Sequence, residues 1–252
     1  MPGQRVAGSA VVTTRLPTGG LALLGLLLPV ATLAQPLPRP GLDPAAEARQ
    51  SVDIRAAPWS SLVRVQTEAG THCTGALIAP DRVLTAAHCL VAPRTGNLVL
   101  PTRTHVLAGY ERGEFRAHAT VREFRLGPGF DPASRGPFGA DWALLRLASP
   151  LPGPTLPRAP LPAAGTPAML AGFQQDRAHA LLADTDCAIE APYRDEARRL
   201  LLRHGCAATR GASGGPLLVR QGEGWAIAGI AAGAQRQARG GLAVALEGLA
   251  LD

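Results

Sequence analysis

The chain has 252 residues, of which 46% are hydrophobic, 17% charged and only 4% aromatic. This composition excludes a chain that is disordered throughout and a collagen-like repeat, and the length allows a sizeable buried core in one large or two modest domains. The formal net charge of +6 comes from arginine alone, because the sequence has no lysine, and the arginines form no basic stripe. We therefore expect no nucleic-acid partner. The 29 Gly and 23 Pro residues predict a loop-rich, mainly β body.

The first segment is a short apolar run, LALLGLLLPVATLA at residues 21–34, which follows Arg5 and Arg15 without any acidic residue. A positive leader, an apolar stretch and small residues at its end are typical of a secretory signal, so residues 1–34 are predicted to be a signal peptide. The alternative is a membrane anchor, but a bilayer span needs about 20 residues. We therefore expect a secreted or periplasmic protein without stable membrane insertion.

Residues 35–57 begin with a Pro-rich stretch and are predicted to be a linker or short pro-segment. From residue 58 to residue 148 the sequence consists of short apolar or alternating runs, such as SLVRVQT, CTGALIA and DWALLRLAS, which are typical of the strands of a barrel or sandwich. A second Pro-rich segment, residues 149–167, is predicted to cross over to another β-rich half at residues 168–252. Within that half, RDEARRLLLRHG has helical spacing and predicts a helix.

The four cysteines fit an oxidising compartment. They are spaced as two local pairs, Cys73 with Cys89 and Cys187 with Cys206, although four cysteines allow three pairings. The absence of a C-x-x-C sequence gives no support to a zinc knuckle or a thioredoxin-type site. The histidines show no metal-ligand spacing such as H-E-x-x-H. We therefore expect neither a metal nor a cofactor.

Three segments carry residues suited to nucleophilic catalysis: LTAAHC with His88, ADWALLRL with Asp141, and RGASGGP with Ser213. A serine hydroxyl needs a nearby base, and an imidazole serves as that base when a carboxylate fixes its tautomer. Asp131, in the loop before Asp141, is a second candidate for the acid, but the start of a strand holds an orienting group more rigidly. GASGG also fits the α/β-hydrolase pattern, but no histidine follows Ser213, which excludes that arrangement.

Taken in this order, TAAHC, DWALL and GASGGP resemble the triad segments of the trypsin-like, chymotrypsin-fold serine proteases, in which the last segment reads GDSGGP. The resemblance extends from about Pro58–Trp59 to Ala245. It implies two antiparallel β-barrels with the active site in the cleft between them, and a disulfide from Cys73 that pins the histidine loop. It also implies a serine endopeptidase that forms an acyl-enzyme from a protein or peptide substrate. We expect the protein to be a monomer.

The resemblance also assigns roles. Ser213 would be the nucleophile, His88 the general base and then the general acid, and Asp141 the group that orients His88. The backbone N–H groups of Gly211 and Ser213 would form the oxyanion hole.

Two departures from the family pattern concern activation and specificity. Ala212 stands where zymogens of the family carry an aspartate that pairs with a new N-terminal ammonium, and no IVGG-type sequence precedes Trp59. We therefore expect folding alone to shape the oxyanion hole, so that changes before Trp59 leave the chemistry largely intact. In this respect the chain is more similar to the bacterial glutamyl-endopeptidase-like branch than to digestive trypsin.

The predicted specificity pocket has no carboxylate. Its base corresponds to Ala207 and Ala208, and its wall to Ala232, Gly233 and Ala234, so a preference for basic residues is not expected. Arg210 either lies in solvent or favours acidic substrates. The alternative function is a catalytically silent secreted homologue that acts as a binding protein. Only LEGLALD follows the second barrel, so we expect no peptide-binding module of a quality-control protease there.

Overall fold

The structure is a computed structural model that describes residues 48–234 and 239–251. The predicted signal peptide and residues 35–47 of the predicted linker lie outside the described residues. The described part contains thirteen strands and no helix long and apolar enough to cross a bilayer. The strands are β1 (Gln50–Ser51), β2 (Leu62–Thr67), β3 (His72–Ala79), β4 (Arg82–Thr85), β5 (Thr104–Ala108), β6 (Ala117–Leu126), β7 (Ala143–Leu147), β8 (Pro167–Gly172), β9 (Leu182–Arg194), β10 (Leu200–His204), β11 (Pro216–Gln221), β12 (Gly224–Ala234) and β13 (Gly241–Ala245). Short 3-10 turns cover Trp59–Ser61, Ala87–Leu90, Pro101–Arg103, Phe138–Ala140 and Gln175–Arg177.

The strands form two closed antiparallel barrels of six strands each, so the prediction of an all-β, double-barrel fold is confirmed. The N-terminal barrel has the order β2-β3-β4-β7-β6-β5. The C-terminal barrel has the order β8-β9-β10-β13-β12-β11 and closes through the pairing of β8 with β9. Closure leaves neither barrel with a free edge inside its own sheet.

Alternation along the strands sorts the apolar side chains into three cores. In β2, Val63 and Val65 point into the N-terminal barrel, whereas Leu62 packs in a cluster shared by both barrels. In β11, Leu217 lies inside the C-terminal barrel and Leu218 in the shared cluster. This period of two is what a strand with both faces buried requires. The shared set, called the interface cluster here, includes Leu62, Leu84, Leu107 and Leu144 from the first barrel and Met169, Phe173, Leu201, Leu218, Ile230 and Val244 from the second.

The helix predicted for residues 194–205 is wrong, because this segment is a β-hairpin. The chain leaves β9 at Arg194, turns with Arg198 at a φ of 60°, and returns as β10. Leu201 faces the interface cluster and Leu202 faces the interior of the C-terminal barrel. Three consecutive leucines satisfy a helix or a doubly buried strand equally well, and pairing with β9 and β13 selects the strand.

The Pro-rich segment 149–167 runs from one barrel to the other. Its first part is fixed to the N-terminal barrel by a hydrogen bond from Leu151 N to Pro80 O (2.8 Å). Further along, Ala159 N donates to Ile227 O of the C-terminal barrel (2.9 Å). Both anchoring residues are buried, so the segment is part of the packed body.

Residues 48–57, which the sequence assigns to a linker or pro-segment, lie against the C-terminal barrel. Strand β1 pairs with the start of β9, with Gln50 opposite Ala183 and Ser51 opposite Leu182. Ile54 is buried in the interface cluster. These contacts fix the position of the residue just before β1, Arg49, whose side chain is also buried.

Candidate active site

His88 and Asp141 are brought together by two short turns of the N-terminal barrel. His88 lies in the 3-10 turn after β4, and Asp141 directly follows the turn Phe138–Ala140, just before β7. The carboxylate uses both oxygens on the same residue: Oδ2 accepts from His88 Nδ1 (2.6 Å) and Oδ1 from the His88 backbone N–H (2.8 Å). Asp141 is only 1% exposed, whereas the His88 side chain is 21% exposed. The ring is therefore fixed with its proton on Nδ1, and Nε2 remains able to accept a proton.

The competing acid, Asp131, lies elsewhere in a turn of its own. Its carboxylate accepts hydrogen bonds from the Ser134 hydroxyl (2.7 Å) and from the backbone N–H of Ala133 (3.0 Å). The bond from Ser134 is the main cause that lowers the pKa of Asp131. Asp131 is exposed and makes no hydrogen bond to His88.

Disulfides connect the cysteines as the two local pairs. Cys73 on β3 is bonded to Cys89 in the turn that carries His88, and Cys187 is bonded to Cys206 in the C-terminal barrel. Cys73, His88 and Cys89 lie close enough together to suggest a metal site. Both sulfurs are bonded to each other, so they offer no thiolate to a metal, and the cluster instead anchors the histidine turn to β3.

Glycines shape the loop around Ser213, because two of its residues adopt positive φ values in tight space. Gly211 has a φ of 94°, and a Cβ there would overlap the carbonyl of Phe173. Gly214 has a φ of 76°, and a Cβ there would overlap the side chain of Thr85. Any other residue at either position would force the loop out of place.

Many peptide groups of this loop are hydrogen-bonded, and the bonds reach both barrels. The bonds are Thr209 N to Gln174 Oε1 (2.8 Å), Gln175 N to Arg210 O (2.7 Å), Thr74 Oγ1 to Gly211 O (2.7 Å), Thr74 N to Ser213 O (2.9 Å), Gly214 N to Ala231 O (2.8 Å) and Gly215 N to Ala212 O (2.8 Å). Among the described residues, neither Gly211 N nor Ser213 N has an acceptor. Two backbone donors next to a serine hydroxyl can stabilise an anion that forms there.

Ser213 lies on the C-terminal barrel, yet its loop contacts the part of the N-terminal barrel that carries His88. Its carbonyl accepts from Thr74, the neighbour of Cys73, and Gly214 packs against Ala86 at the start of the histidine turn. Ser213 Oγ makes no hydrogen bond to His88 in this structure. In enzymes without substrate this bond is often long, and it shortens when substrate binds.

The residues predicted for the specificity pocket lie on two segments beside Ser213. Ala207 and Ala208 are buried just before the serine loop, and β12 carries Ala232, Gly233 and Ala234 onward from Ala231. A Cβ on Gly233 would contact the ring of Phe138 at 2.9 Å, so that aromatic ring covers this part of β12. The side chain of Arg210 is exposed.

A carboxylate that sequence reasoning missed lies behind Ala207. Asp184 is 1% exposed, and its Oδ2 accepts from Ala207 N and from the guanidinium of Arg239, each at 2.7 Å. Its other oxygen accepts from Asp186 N (3.1 Å). The charge of Asp184 is therefore already paired within the protein.

His204, at the end of β10, is a buried histidine that is not among the predicted site residues. Its Nδ1 accepts from Cys206 N (3.2 Å), and Nε2 has no hydrogen-bond partner in the described part of the chain. Burial lowers the pKa of His204 to about 4, and the nearby carboxylate of Asp184 opposes that shift. His204 is therefore neutral near pH 7.

The sequence matches a known protein family over most of its length. The family model described as Trypsin matches residues 48–247, which is most of the chain and includes the segments of His88, Asp141 and Ser213. The chain belongs to the trypsin family. The predicted resemblance to trypsin-like serine proteases is thereby confirmed, and membership supports a serine protease.

Curated relatives of this trypsin-family chain are similar over part of its length. Serine protease 56 of Homo sapiens is 39% identical over 167 residues, 58% of this chain and 26% of that protein, and its Mus musculus counterpart is 36% identical over 123 residues, 46% and 19% respectively. A trypsin-like protease of Streptomyces glaucescens is 40% identical over 88 residues, 33% of this chain and 28% of that one. The matched part thus spans less than a third of each relative.

Among solved structures, a Glu endopeptidase in complex with MPD matches with a TM-score of 0.63. The match covers 82% of this chain and 93% of that one at 19% sequence identity. At this identity the likeness shows the chymotrypsin fold and nothing about specificity. The predicted proximity to the glutamyl-endopeptidase-like branch therefore stays a prediction.

Proposed function

We propose that this protein is a secreted serine endopeptidase that uses Ser213, His88 and Asp141 as its triad. The observation that carries the proposal is that the Asp141 carboxylate is buried and that both of its oxygens accept hydrogen bonds from His88. A buried charge is costly unless it is paired, and here its hydrogen bonds fix the orientation of one imidazole. That arrangement serves a general base.

The reaction begins when Ser213 Oγ attacks the scissile carbonyl carbon and its proton passes to His88 Nε2. The carbonyl electron pair moves to oxygen and returns as the C–N bond breaks, while His88 gives the proton to the leaving amine. Water then attacks the acyl-enzyme by the same route and releases the acid. Throughout, Asp141 stays ionised and stabilises the charged imidazole.

The oxyanion in both steps is stabilised by Gly211 N and Ser213 N. Support comes from the positive φ of Gly211 and from the hydrogen bonds to Arg210 O and Ala212 O, which orient the peptide groups of the two amides, neither of which has an acceptor in the described part of the chain. Each such donor contributes roughly 100- to 1000-fold to the rate.

The substrate is a protein or peptide, and the residue before the scissile bond is not basic. The Asp184 carboxylate accepts a hydrogen bond from Ala207 N, but it is buried and already paired with Arg239. The side chains of Ala207 and Ala208 offer no charge to a substrate arginine. A preference for small or apolar residues suits a pocket bordered by alanines.

The compartment is extracellular or periplasmic. Two disulfides support this location, because such bonds persist in oxidising compartments and are rare in the cytosol.

The test is labelling of the purified protein with a fluorophosphonate probe, with Ser213→Ala as the matched control. In this reaction Ser213 Oγ bonds to phosphorus, fluoride leaves, and the serine proton passes to His88. We expect the wild-type protein to label without an activating protease and the Ser213→Ala variant not to label. Profiling with a peptide library then identifies the preferred residue.

The alternative to an active endopeptidase is a catalytically silent homologue that acts as a binding protein. Absence of labelling in the folded wild-type protein, also after trimming before Trp59, would mean that the oxyanion hole is not formed. A tenfold or greater rise in activity on trimming to one defined N-terminus would instead contradict activation by folding alone.

A further inference from the structure

A cation from the segment before the first barrel is buried next to the serine loop. The Arg49 side chain is 1% exposed, and its guanidinium donates two hydrogen bonds to Asp176: Nη2 to Oδ2 at 2.8 Å and Nη1 to Oδ1 at 3.0 Å. Nη1 of Arg49 also donates to Gln174 Oε1. The position is fixed because the next residue, Gln50, begins β1 and pairs with β9.

The Gln174 side chain connects this cation to the serine loop. Gln174 is fully buried, and its Oε1 accepts both from Arg49 Nη1 and from Thr209 N (2.8 Å). One residue further on, Gln175 N donates to Arg210 O (2.7 Å). Thr209 and Arg210, which precede Gly211, are thus hydrogen-bonded to Gln174 and Gln175. Arg49 in turn binds this segment through the side chains of Gln174 and Asp176.

The loop has no buried charge that could do the same, because its one charged side chain, Arg210, is exposed. Ala212 is buried, its side chain is a methyl group, and its Cα packs against Gly172. Apart from one internal hydrogen bond, from Ala212 N to Thr209 O (3.1 Å), residues 209–213 are held from outside, by Gln174 and Gln175 on one side and by the Thr74 hydroxyl on the other.

We propose that Arg49 is a positioning residue for the oxyanion loop, acting through Gln174 and Asp176. The proposal rests on the proposed function, since its purpose is to hold the Gly211 and Ser213 amides in place. It also makes Arg49 an exception to the expectation that changes before Trp59 leave the chemistry intact. A planar guanidinium suits this role, because it reaches a carboxylate and an amide oxygen at the same time.

The experiment compares the full chain with its Arg49→Lys and Arg49→Met variants. Lysine keeps the charge but not the fork geometry, and methionine keeps the length without the charge. The matched control is Arg103→Met, which removes an arginine from the exposed pair with Glu68, a residue that is not part of the serine loop. Each protein is assayed for kcat and KM on a peptide substrate, and for hydrogen exchange of the amides in residues 206–215.

We expect kcat to fall in the order wild type, Arg49→Lys, Arg49→Met, by at least tenfold for methionine, while KM changes little. This loss is smaller than the roughly 100- to 1000-fold of losing an oxyanion donor outright, because the amides are loosened and not removed. Exchange in residues 206–215 should accelerate in the same order, and Arg103→Met should match the wild type in both measurements. A merely structural role would change the melting temperature without this split between kcat and KM.

Wild-type kcat and wild-type exchange in folded Arg49→Met would overturn the proposal. If Arg49→Met does not fold, wild-type values in Arg49→Lys would overturn it. The exchange measurement also separates the two hypotheses, because it reports on the loop even if the protein hydrolyses no peptide. In that case the proposed function fails, and faster exchange in the Arg49 variants still supports the contact network.

Discussion

The two halves of the site are held in place by different parts of the polypeptide. On the N-terminal barrel, His88 is fixed by a side chain, since the Asp141 carboxylate bonds both its ring and its backbone. On the C-terminal barrel, Ser213 is fixed by backbone conformation, with Gly211 and Gly214 at positive φ and peptide groups bonded on both sides. The first half should therefore lose chemistry without losing structure. The second half should lose both together.

The largest effect is expected from Asp141→Asn, which tests the first half. An amide presents N–H to His88 Nδ1 or leaves it unpaired, so the ring takes the wrong tautomer and kcat should fall by about 10⁴-fold. The free energy of unfolding should change by only about 1 kcal/mol, because the asparagine oxygen can still accept from His88 N. Steady-state kinetics and urea denaturation measure the two quantities.

The matched control for that variant is Asp131→Asn. Its carboxylate is exposed and bonds only within its own turn, so kcat should stay at the wild-type value. An equal loss of kcat in both variants would contradict the assignment of the acid to Asp141.

The next largest effect is expected from Gly211→Ala, which tests the second half. The new methyl group overlaps the Phe173 carbonyl and moves an oxyanion donor, so kcat should fall roughly 100- to 1000-fold. Stability should fall as well, by about 1–2 kcal/mol from the positive φ alone. Kinetics and thermal unfolding measured on the same sample show whether the two losses occur together.

Gly222→Ala separates backbone strain from the overlap. Gly222 lies in the turn between β11 and β12 with a φ of 58°, and no atom would lie within 4 Å of its Cβ. We expect a loss of about 1–2 kcal/mol in stability and an unchanged kcat. A large loss of kcat in this variant would show that strain anywhere in the C-terminal barrel reaches Ser213.

An effect on stability alone, and only at acidic pH, is expected at His204 in the C-terminal barrel. The folded pKa of His204, about 4, lies below the unfolded value of about 6.5, so the unfolded chain binds more protons between these pH values. The stability of the wild-type protein should therefore fall as the pH drops from 6.5 to 4, by about 3 kcal/mol from this residue. Urea denaturation at pH 7, 5.5 and 4 measures the slope.

His204→Gln removes that contribution, while its side-chain oxygen can still accept from Cys206 N. The stability of the variant should depend less on pH over this range, by up to about 3 kcal/mol at pH 4. The same slope in both proteins would mean that His204 is not buried in its neutral form.

Local sequence patterns predicted much of the fold and the neighbourhood of the site, because their information lies within a few residues. Alternating runs indicated strands, and TAAHC, DWALL and GASGGP located His88, Asp141 and Ser213, whose catalytic roles remain proposals. The supporting contacts could not be predicted, because they join distant residues that belong to no motif. Thr209 bonds to Gln174 35 positions away, and Gly211 bonds to Thr74 137 positions away.

One error and two omissions have physical reasons of the same kind. The leucines at 200–202 fit a helix and a doubly buried strand equally well, and only the partner strands decide between them. Asp184 lies among other acidic residues in the sequence, so nothing marks it as the one that is buried against Ala207 N. Nothing in the sequence marks Arg49 either, because composition alone does not reveal a buried ion pair.

The hydrogen bond from Thr74 N to the Ser213 carbonyl joins the nucleophile to the opposite barrel. Together with the interface cluster, this bond makes the geometry of the serine depend on whether the two barrels stay docked, and not only on whether each barrel is folded. If the two barrels separated along that interface while nearly all strands stayed formed, the serine would lose its geometry and catalysis would stop. Turnover is therefore a more sensitive reporter of barrel separation than any measure of secondary structure.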